Sequence, residues 1–255
     1  MRFLCASALI LFAGSVPARA DLVQTVVRVK PAVVAIGSYQ PTRNPPRLYR
    51  GTGFVVGDGL TVVTNAHVVP RTVDAANKEE LVVLVQIDGK PQFRRARIAM
   101  VDAEHDLLAL RVDGPPLPAL TMGDSATVKE GQAVAFTGFP LGMALGMRPV
   151  THRGIVSAIT QVATRAPDAR YLNSKSIERL RNQCYIFQLD AKAYPGNSGS
   201  PMYDPDTGAV YGVLNSVFIK STKESAIKDP SGITYVIPGN FVRDLIGQLD
   251  MRAVR

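Results

Sequence analysis

Residues 51–69, GTGFVVGDGLTVVTNAHVV, contain two short apolar runs separated by a Gly-Asp-Gly turn. Runs of this length that are rich in valine and threonine and bounded by glycine predict β-strands rather than helices. The second run ends in small residues, which are followed by His67. A histidine at the end of a strand is either a buried structural residue or a base presented to a cleft, and its partners elsewhere in the chain must decide between the two.

Two groups of five or six such runs follow one another along the chain, and the proline-rich segment 114–120 separates them. Together with 21 glycines and 18 prolines, this spacing predicts an all-β fold of two small antiparallel barrels, about 31–113 and about 121–238. Asn240 can cap a helix whose apolar residues share one face, so a C-terminal helix is predicted over about 240–251.

Three other segments do not resemble strands. Residues 21–30 predict a short amphipathic helix that stops at Pro31. The proline- and arginine-rich residues 41–50 predict an exposed loop, and the polar residues 164–182 predict an inserted loop.

The first twenty residues have the features of an export signal. Arg2 provides the positive start, an apolar stretch follows, and Ala18-Arg19-Ala20 offers small residues for cleavage. A membrane anchor is the alternative, but the stretch is short and broken at Pro17. We expect a mature chain of residues 21–255 that is periplasmic or secreted and lacks stable membrane insertion. Cys184 is then the only cysteine, so no intrachain disulfide is expected.

Composition disfavours several other classes of function. The formal net charge is +8, but the basic residues are scattered and accompany no nucleic-acid-binding motif, so no nucleic acid partner is expected. The three histidines are dispersed and show no metal-ligand spacing, so neither a metal nor another cofactor is expected.

Ser198 lies in PGNSGSP, residues 195–201, which could be an ordinary surface turn. A serine hydroxyl becomes a nucleophile only when a base takes its proton and a third group orients that base. His67 is the best placed of the three histidines. His152 lies in a segment feeding a strand, where exposure to solvent is expected, and His105 should point away from whatever its neighbour Asp106 faces.

Three segments in order, 51–69, HDLLALRV from His105, and GNSGSP from Gly196, resemble the trypsin-like serine proteases in their HtrA (high-temperature-requirement) branch. The resemblance covers about residues 22–250 and implies two six-stranded β-barrels followed by a helix. It also implies a catalytic triad of His67, Asp106 and Ser198, with the N–H groups of Gly196 and Ser198 as the oxyanion hole.

The same resemblance implies that a substrate pocket lies beside the nucleophile. Lys192 stands where an acid would select basic side chains; we expect it to turn to solvent and leave a shallow apolar pocket. The implied activity is a serine endopeptidase acting on exported or unfolded polypeptides and preferring medium aliphatic residues. The family resemblance also allows a trimer. The pocket candidates are Lys192, Ala193, Leu214, Asn215 and Ser216.

Two departures from family patterns limit what is carried over. Asn197 replaces the acid that binds the new N-terminus in digestive members, so activation by such a cut is not expected. HtrA proteins usually continue into PDZ domains, and this chain ends after its predicted helix, so peptide capture by PDZ domains is not expected.

The alternative function is a non-catalytic or latent protease fold that binds peptides or a partner in its cleft. An esterase of the α/β-hydrolase fold is disfavoured, because in that fold the catalytic serine precedes the histidine along the chain, whereas here Ser198 follows His67.

Overall fold

The chain folds into two closed six-stranded antiparallel β-barrels followed by a C-terminal helix, as predicted. The computed structural model describes residues 21–70, 73–87, 90–140, 148–161, 185–215 and 233–253. Its elements are helix α1 (Leu22–Val29), strands β1 (Val33–Tyr39), β2 (Arg47–Val56), β3 (Thr61–Asn65), β4 (Glu80–Ile87), β5 (Lys90–Asp102), β6 (Leu107–Val112), β7 (Ala133–Gly138), β8 (Val150–Gln161), β9 (Tyr185–Asp190), β10 (Pro201–Tyr203), β11 (Val210–Asn215), β12 (Ile233–Pro238) and helix α2 (Gly239–Ala253).

The first barrel is closed in the order β1-β2-β3-β6-β5-β4. Successive side chains of a strand point to opposite faces, and β1 shows the consequence. Val34 and Ile36 belong to an aliphatic cluster made entirely by the first-barrel half of the chain. Val33 and Ala35 instead join a second cluster to which both barrels contribute. Both faces of β1 are therefore buried, which explains its nearly continuous apolar sequence.

The second barrel is closed in the order β10-β11-β12-β9-β8-β7, around Phe136, Phe187 and Leu214. Its shortest strand, β10, directly follows the PGNSGSP turn and was not recognised in the sequence, because three residues are too few to show alternation. It pairs with β7 and β11 and so fixes where the turn leaves the barrel.

Both helices pack against the cluster shared by the barrels. In α1 the Asp21 side chain accepts a hydrogen bond from the Val23 N–H, which caps the helix as expected for an aspartate at this position. Val242 and Leu245 of α2 are buried in the shared cluster. No helix in the described ranges is long and apolar enough to cross a membrane.

The loop predicted over residues 41–50 is shorter than expected. Its last four residues begin β2, where Arg47, Leu48 and Tyr49 pair with Tyr39, Ser38 and Gly37. Tertiary pairing with β1 has overridden the loop-like local composition of this segment. The predicted export signal and the 164–182 insertion lie outside the described residues, as does Cys184.

Candidate active site

His67 and Asp106 meet at one edge of the first barrel. His67 lies in a short 3-10 turn after β3, and Asp106 directly precedes β6, the neighbour of β3. The Asp106 carboxylate binds His67 twice: Oδ2 lies 2.6 Å from the ring Nδ1, and Oδ1 accepts the His67 backbone N–H at 2.9 Å. This two-point contact fixes both the position of the imidazole and the tautomer that carries a proton on Nδ1.

The backbone around Asp106 is shaped to bring its side chain to His67. Asp106 has a positive φ of 53°, in the left-handed region that aspartate tolerates better than most residues. Its carbonyl accepts the Ala66 N–H at 3.0 Å and the Asn65 side-chain amide at 3.2 Å. The residues preceding the histidine thus hold the turn that carries the aspartate.

Asn215 supplies a third hydrogen bond to the Asp106 carboxylate, from Nδ2 to Oδ2 at 2.8 Å. It stands at the end of β11 in the second barrel and is buried. Sequence reasoning placed Asn215 in the substrate pocket, whereas the structure directs its amide to Asp106. The carboxylate is thus held from both barrels.

The Ser198 turn belongs to the second barrel but is bound to the first. The Thr52 N–H donates to the Ser198 carbonyl at 2.9 Å, and the carbonyl also lies against Gly51, which abuts Val68 beside His67. Gly199 has a φ of +87°, and a Cβ there would overlap the Thr52 carbonyl. Glycine is therefore required next to Ser198 both for its φ and for this close approach.

The carbonyl of Gly196 is bound by two hydroxyl groups of β2. Thr52 Oγ1 donates to it at 2.7 Å and Tyr49 Oη at 2.9 Å. Gly196 has a φ of +99°. Within the part of the chain that the structure describes, no backbone acceptor takes its N–H. These hydroxyls were not among the candidates found in the sequence, because Tyr49 fell in the segment interpreted as loop.

Asn197 is completely buried, and neither polar atom of its side chain has a hydrogen-bond partner among the described residues. Ser200 Oγ is likewise buried without a hydrogen-bond partner among the described residues. The side chains of Asn197 and Ser200 both lie against Gly138. Asn197 thus occupies its buried site without a charged partner.

The other two histidines are engaged elsewhere. The His105 ring bonds Asp102 through Nδ1 at 2.6 Å and stacks on Phe241 of α2. The Asp106 carboxylate binds His67 and Asn215, so the two neighbouring side chains face different partners, as expected. His152 was expected to be exposed, but it is half-buried and stacks on Phe136 with ring centroids 4.8 Å apart. Burial lowers the pKa of His152, which keeps the ring neutral.

The remaining pocket candidates have different environments. Lys192 is exposed, and Ala193 packs partly buried against the second-barrel core. Leu214 is completely buried inside that core, so it presents no accessible surface to a substrate. Ser216 lies outside the described residues. In the described ranges no three His, Cys, Asp or Glu side chains cluster as metal ligands.

Comparison with known proteins relates this arrangement to peptidases. Residues 51–213 match the family described as trypsin-like peptidase domain. The chain is 31% identical over 199 residues to a probable periplasmic serine endoprotease DegP-like of Halomonas elongata, covering 78% of this chain. It is 29% identical over 238 residues to serine protease HTRA1A of Danio rerio, covering 92% of this chain. The chain spans only 35% and 42% of the lengths of these two relatives.

Solved structures share the fold. The HtrA-type protease AlgW with a tripeptide superposes with a TM-score of 0.63 at 24% identity, over 90% of this chain and 63% of that one. The same protease with a decapeptide gives a TM-score of 0.64 at 21% identity, over 91% and 68% of the two chains. At this identity the likeness concerns the fold.

Proposed function

This chain belongs to the trypsin-like peptidase family, and we propose that it is an active serine endopeptidase in which Ser198 is the nucleophile, His67 the general base and Asp106 the group that orients it. Its similarity to DegP-like and HtrA proteases confirms the HtrA branch that the motifs indicated. The observation that carries the proposal is the two-point contact of the Asp106 carboxylate with His67, at 2.6 and 2.9 Å. Because this contact uses Nδ1, the other ring nitrogen, Nε2, would act as the proton acceptor.

The proposed reaction is acyl transfer in two steps. Ser198 Oγ attacks the scissile carbonyl carbon while its proton passes to His67 Nε2, and the resulting tetrahedral intermediate collapses as His67 returns that proton to the departing amine. Water then attacks the acyl-enzyme by the same route and releases the new carboxylate. Asp106 stabilises the imidazolium that forms in each step.

The negative oxygen of each tetrahedral intermediate would be bound by the backbone N–H groups of Gly196 and Ser198. Each such donor is expected to stabilise the transition state by roughly 3–4 kcal/mol. The positive φ of Gly196 and the fixing of its carbonyl by β2 support this role, because they set the orientation of the loop in advance of substrate binding.

The substrates we propose are unfolded or exported polypeptides, cut after medium aliphatic residues such as valine, alanine or leucine. The exposure of Lys192 supports this preference, because an exposed ammonium group does not occupy an apolar pocket. One methylene group changes selection by only about 1–3 kcal/mol in such a pocket, so a broad profile is expected. Dominant cleavage after lysine or arginine in a denatured protein mixture would contradict it.

Export is proposed from the first twenty residues and from the periplasmic naming of relatives. N-terminal sequencing of the protein recovered from the periplasm or medium should begin at Asp21. Membrane-bound material that retains Met1 would contradict this.

Replacement of Ser198 by alanine tests the catalytic proposal. Loss of the nucleophile should lower turnover of unfolded casein by roughly 10⁴-fold or more, with little change in the unfolding midpoint. Ser157, exposed in β8, provides the matched control, since Ser157→Ala removes a hydroxyl group outside the turn. A fluorophosphonate should label Ser198 in the parent protein. Peptide binding without hydrolysis or labelling would instead support the non-catalytic alternative.

A further inference from the structure

The carbonyl oxygen of Gly196 is the most heavily bound acceptor in the Ser198 turn, and its donors come from the other barrel. Thr52 Oγ1 lies 2.7 Å and Tyr49 Oη 2.9 Å from it, and both residues belong to β2. A glycine rotates easily about φ and ψ, so its peptide orientation has to be fixed by external contacts. Two hydroxyl donors on one carbonyl provide such a fixation.

Phe139, which follows β7, completes a small network around this carbonyl. Its N–H donates to Thr52 Oγ1 at 3.0 Å, so the Thr52 hydroxyl accepts from Phe139 while donating to Gly196. The carbonyl of Phe139 accepts from Tyr49 Oη at 2.7 Å. Because a phenol has one proton, Tyr49 shares it between the carbonyls of Phe139 and Gly196. The network therefore links β2, the end of β7 and the Ser198 turn.

Tyr49 remains a donor under all ordinary conditions. Burial raises the pKa of its phenol, so the hydroxyl stays protonated. Its ring contacts the Phe139 ring edge-on, with centroids 6.5 Å apart. Packing thus holds the hydroxyl in place, and removal of the oxygen alone would leave that packing intact.

Space around Gly196 is as restricted as its hydrogen bonding. A Cβ at this position would come within 2.5 Å of the Phe139 carbonyl oxygen and 3.0 Å of Tyr49 Cε1. The φ of +99° already requires glycine. The Gly196 carbonyl lies in the peptide group that follows the residue and its N–H in the peptide group that precedes it, so the two are linked through the φ and ψ of Gly196. The contacts on the carbonyl and the restricted space around the residue limit both angles.

We propose that Thr52 and Tyr49 are positioning residues that fix the Gly196 carbonyl and thereby aim the Gly196 N–H at the oxyanion. The inference rests on the proposed function, since it assigns a task to residues that never touch the substrate's reacting atoms. It makes the first barrel responsible for the geometry of an oxyanion hole carried by the second. A misplacement of such a donor by about 1 Å can lower the rate by roughly 100-fold.

Hydroxyl deletions test the proposal. Thr52→Val removes the hydroxyl at nearly constant shape, and we expect kcat to fall by about 10- to 100-fold with KM changed by less than about 2-fold. Tyr49→Phe should lower kcat by about 3- to 10-fold, because Thr52 still binds the carbonyl. Thr52→Ser, which retains the donor, should restore turnover to near the parent value. The rate of fluorophosphonate labelling should follow kcat.

Tyr203→Phe is the matched control. Its phenol is buried and bonded to Thr137 at 2.8 Å within the second barrel, so the variant loses a comparable hydrogen bond that does not involve Gly196. Rates are expressed per folded molecule, and Tyr49→Phe carries the test if Thr52→Val does not fold. The positioning role would be overturned if Tyr49→Phe and Thr52→Val turned over substrate as fast as Tyr203→Phe. A change in KM alone would overturn it as well. Equal activity of the parent and Ser198→Ala would instead overturn the proposed function.

Discussion

Replacing Asn215 by aspartate tests the hydrogen bond that joins the second barrel to Asp106. The substitution nearly preserves shape but places two carboxyl groups 2.8 Å apart. Two unit charges at that distance repel by about 6 kcal/mol at an effective dielectric constant of 20, and by about 1.5 kcal/mol in bulk water. These energies correspond to roughly four pKa units and one pKa unit, so the pair should release its second proton between about pH 5 and pH 8.

The consequence is a pH dependence of kcat/KM relative to the parent. While the introduced carboxyl group is protonated it can donate to Asp106 as the amide does. Once it ionises, the donor is lost and replaced by repulsion. A hydrogen bond to a charged group contributes about 1.5–3 kcal/mol, so kcat/KM relative to the parent should fall by roughly 10- to 150-fold as pH rises. Asn215→Ala should instead lower kcat/KM by a nearly constant factor.

The assay is kcat/KM on one peptide substrate from pH 5 to pH 9 for each variant and the parent. Asn77→Asp is the matched control, because Asn77 Nδ2 donates to Asp74 Oδ2 at the same 2.8 Å in an exposed turn away from His67. It makes the same charge change and should follow the parent at every pH. If the kcat/KM of Asn215→Asp showed the same pH dependence as that of Asn77→Asp across this range, the role of Asn215 in holding Asp106 would be refuted.

Three further predictions concern stability. Gly199→Ala should destabilise the protein by about 2–5 kcal/mol in urea unfolding, because it combines a positive φ with a Cβ that overlaps the Thr52 carbonyl; a normal midpoint would contradict this. Hydrogen bonding, first of all to Ser38, lowers the pKa of Glu79 from 4.5 to about 2. The stabilisation is present above pH 4.5 and lost on acidification towards pH 2, so Glu79→Gln should be less stable at pH 6 and equal to the parent near pH 2; a gap that persists at pH 2 would refute this. Burial lowers the pKa of His152 below 6.5, so the unfolded chain binds the proton more readily and stability falls as pH drops below 6.5; His152→Leu should show a smaller loss between pH 6.5 and pH 5.

The spacing of the strand runs was enough to predict both barrels, and the family resemblance implied the meeting of His67 with Asp106 that the structure shows. Strand runs bounded by glycine and proline are a local signal, and the two runs in residues 51–69 lie where β2 and β3 were found. β10 was missed because it has three residues, and Arg47–Arg50 were assigned to a loop because proline and arginine dominate that segment. In both places, pairing with neighbouring strands of the barrel determines the structure.

Side-chain direction was the part that sequence could not predict. Leu214 and Asn215 are neighbours in β11, and strand geometry requires that they point to opposite faces. The sequence does not say which face is the barrel interior. The register with β12, in which Leu214 pairs with Val236 and Asn215 with Tyr235, places Leu214 in the core and leaves Asn215 to meet Asp106.

The candidate site depends on the barrels being held together, because each supplies a part that the other positions. The first barrel carries His67 and Asp106, yet Asn215 of the second barrel binds Asp106. The second barrel carries Ser198, yet the Thr52 N–H binds its carbonyl. A shift of one barrel against the other would therefore disturb the proposed base and the proposed nucleophile together. Loss of activity should consequently accompany the first loosening of the contact between the barrels, before either barrel unfolds.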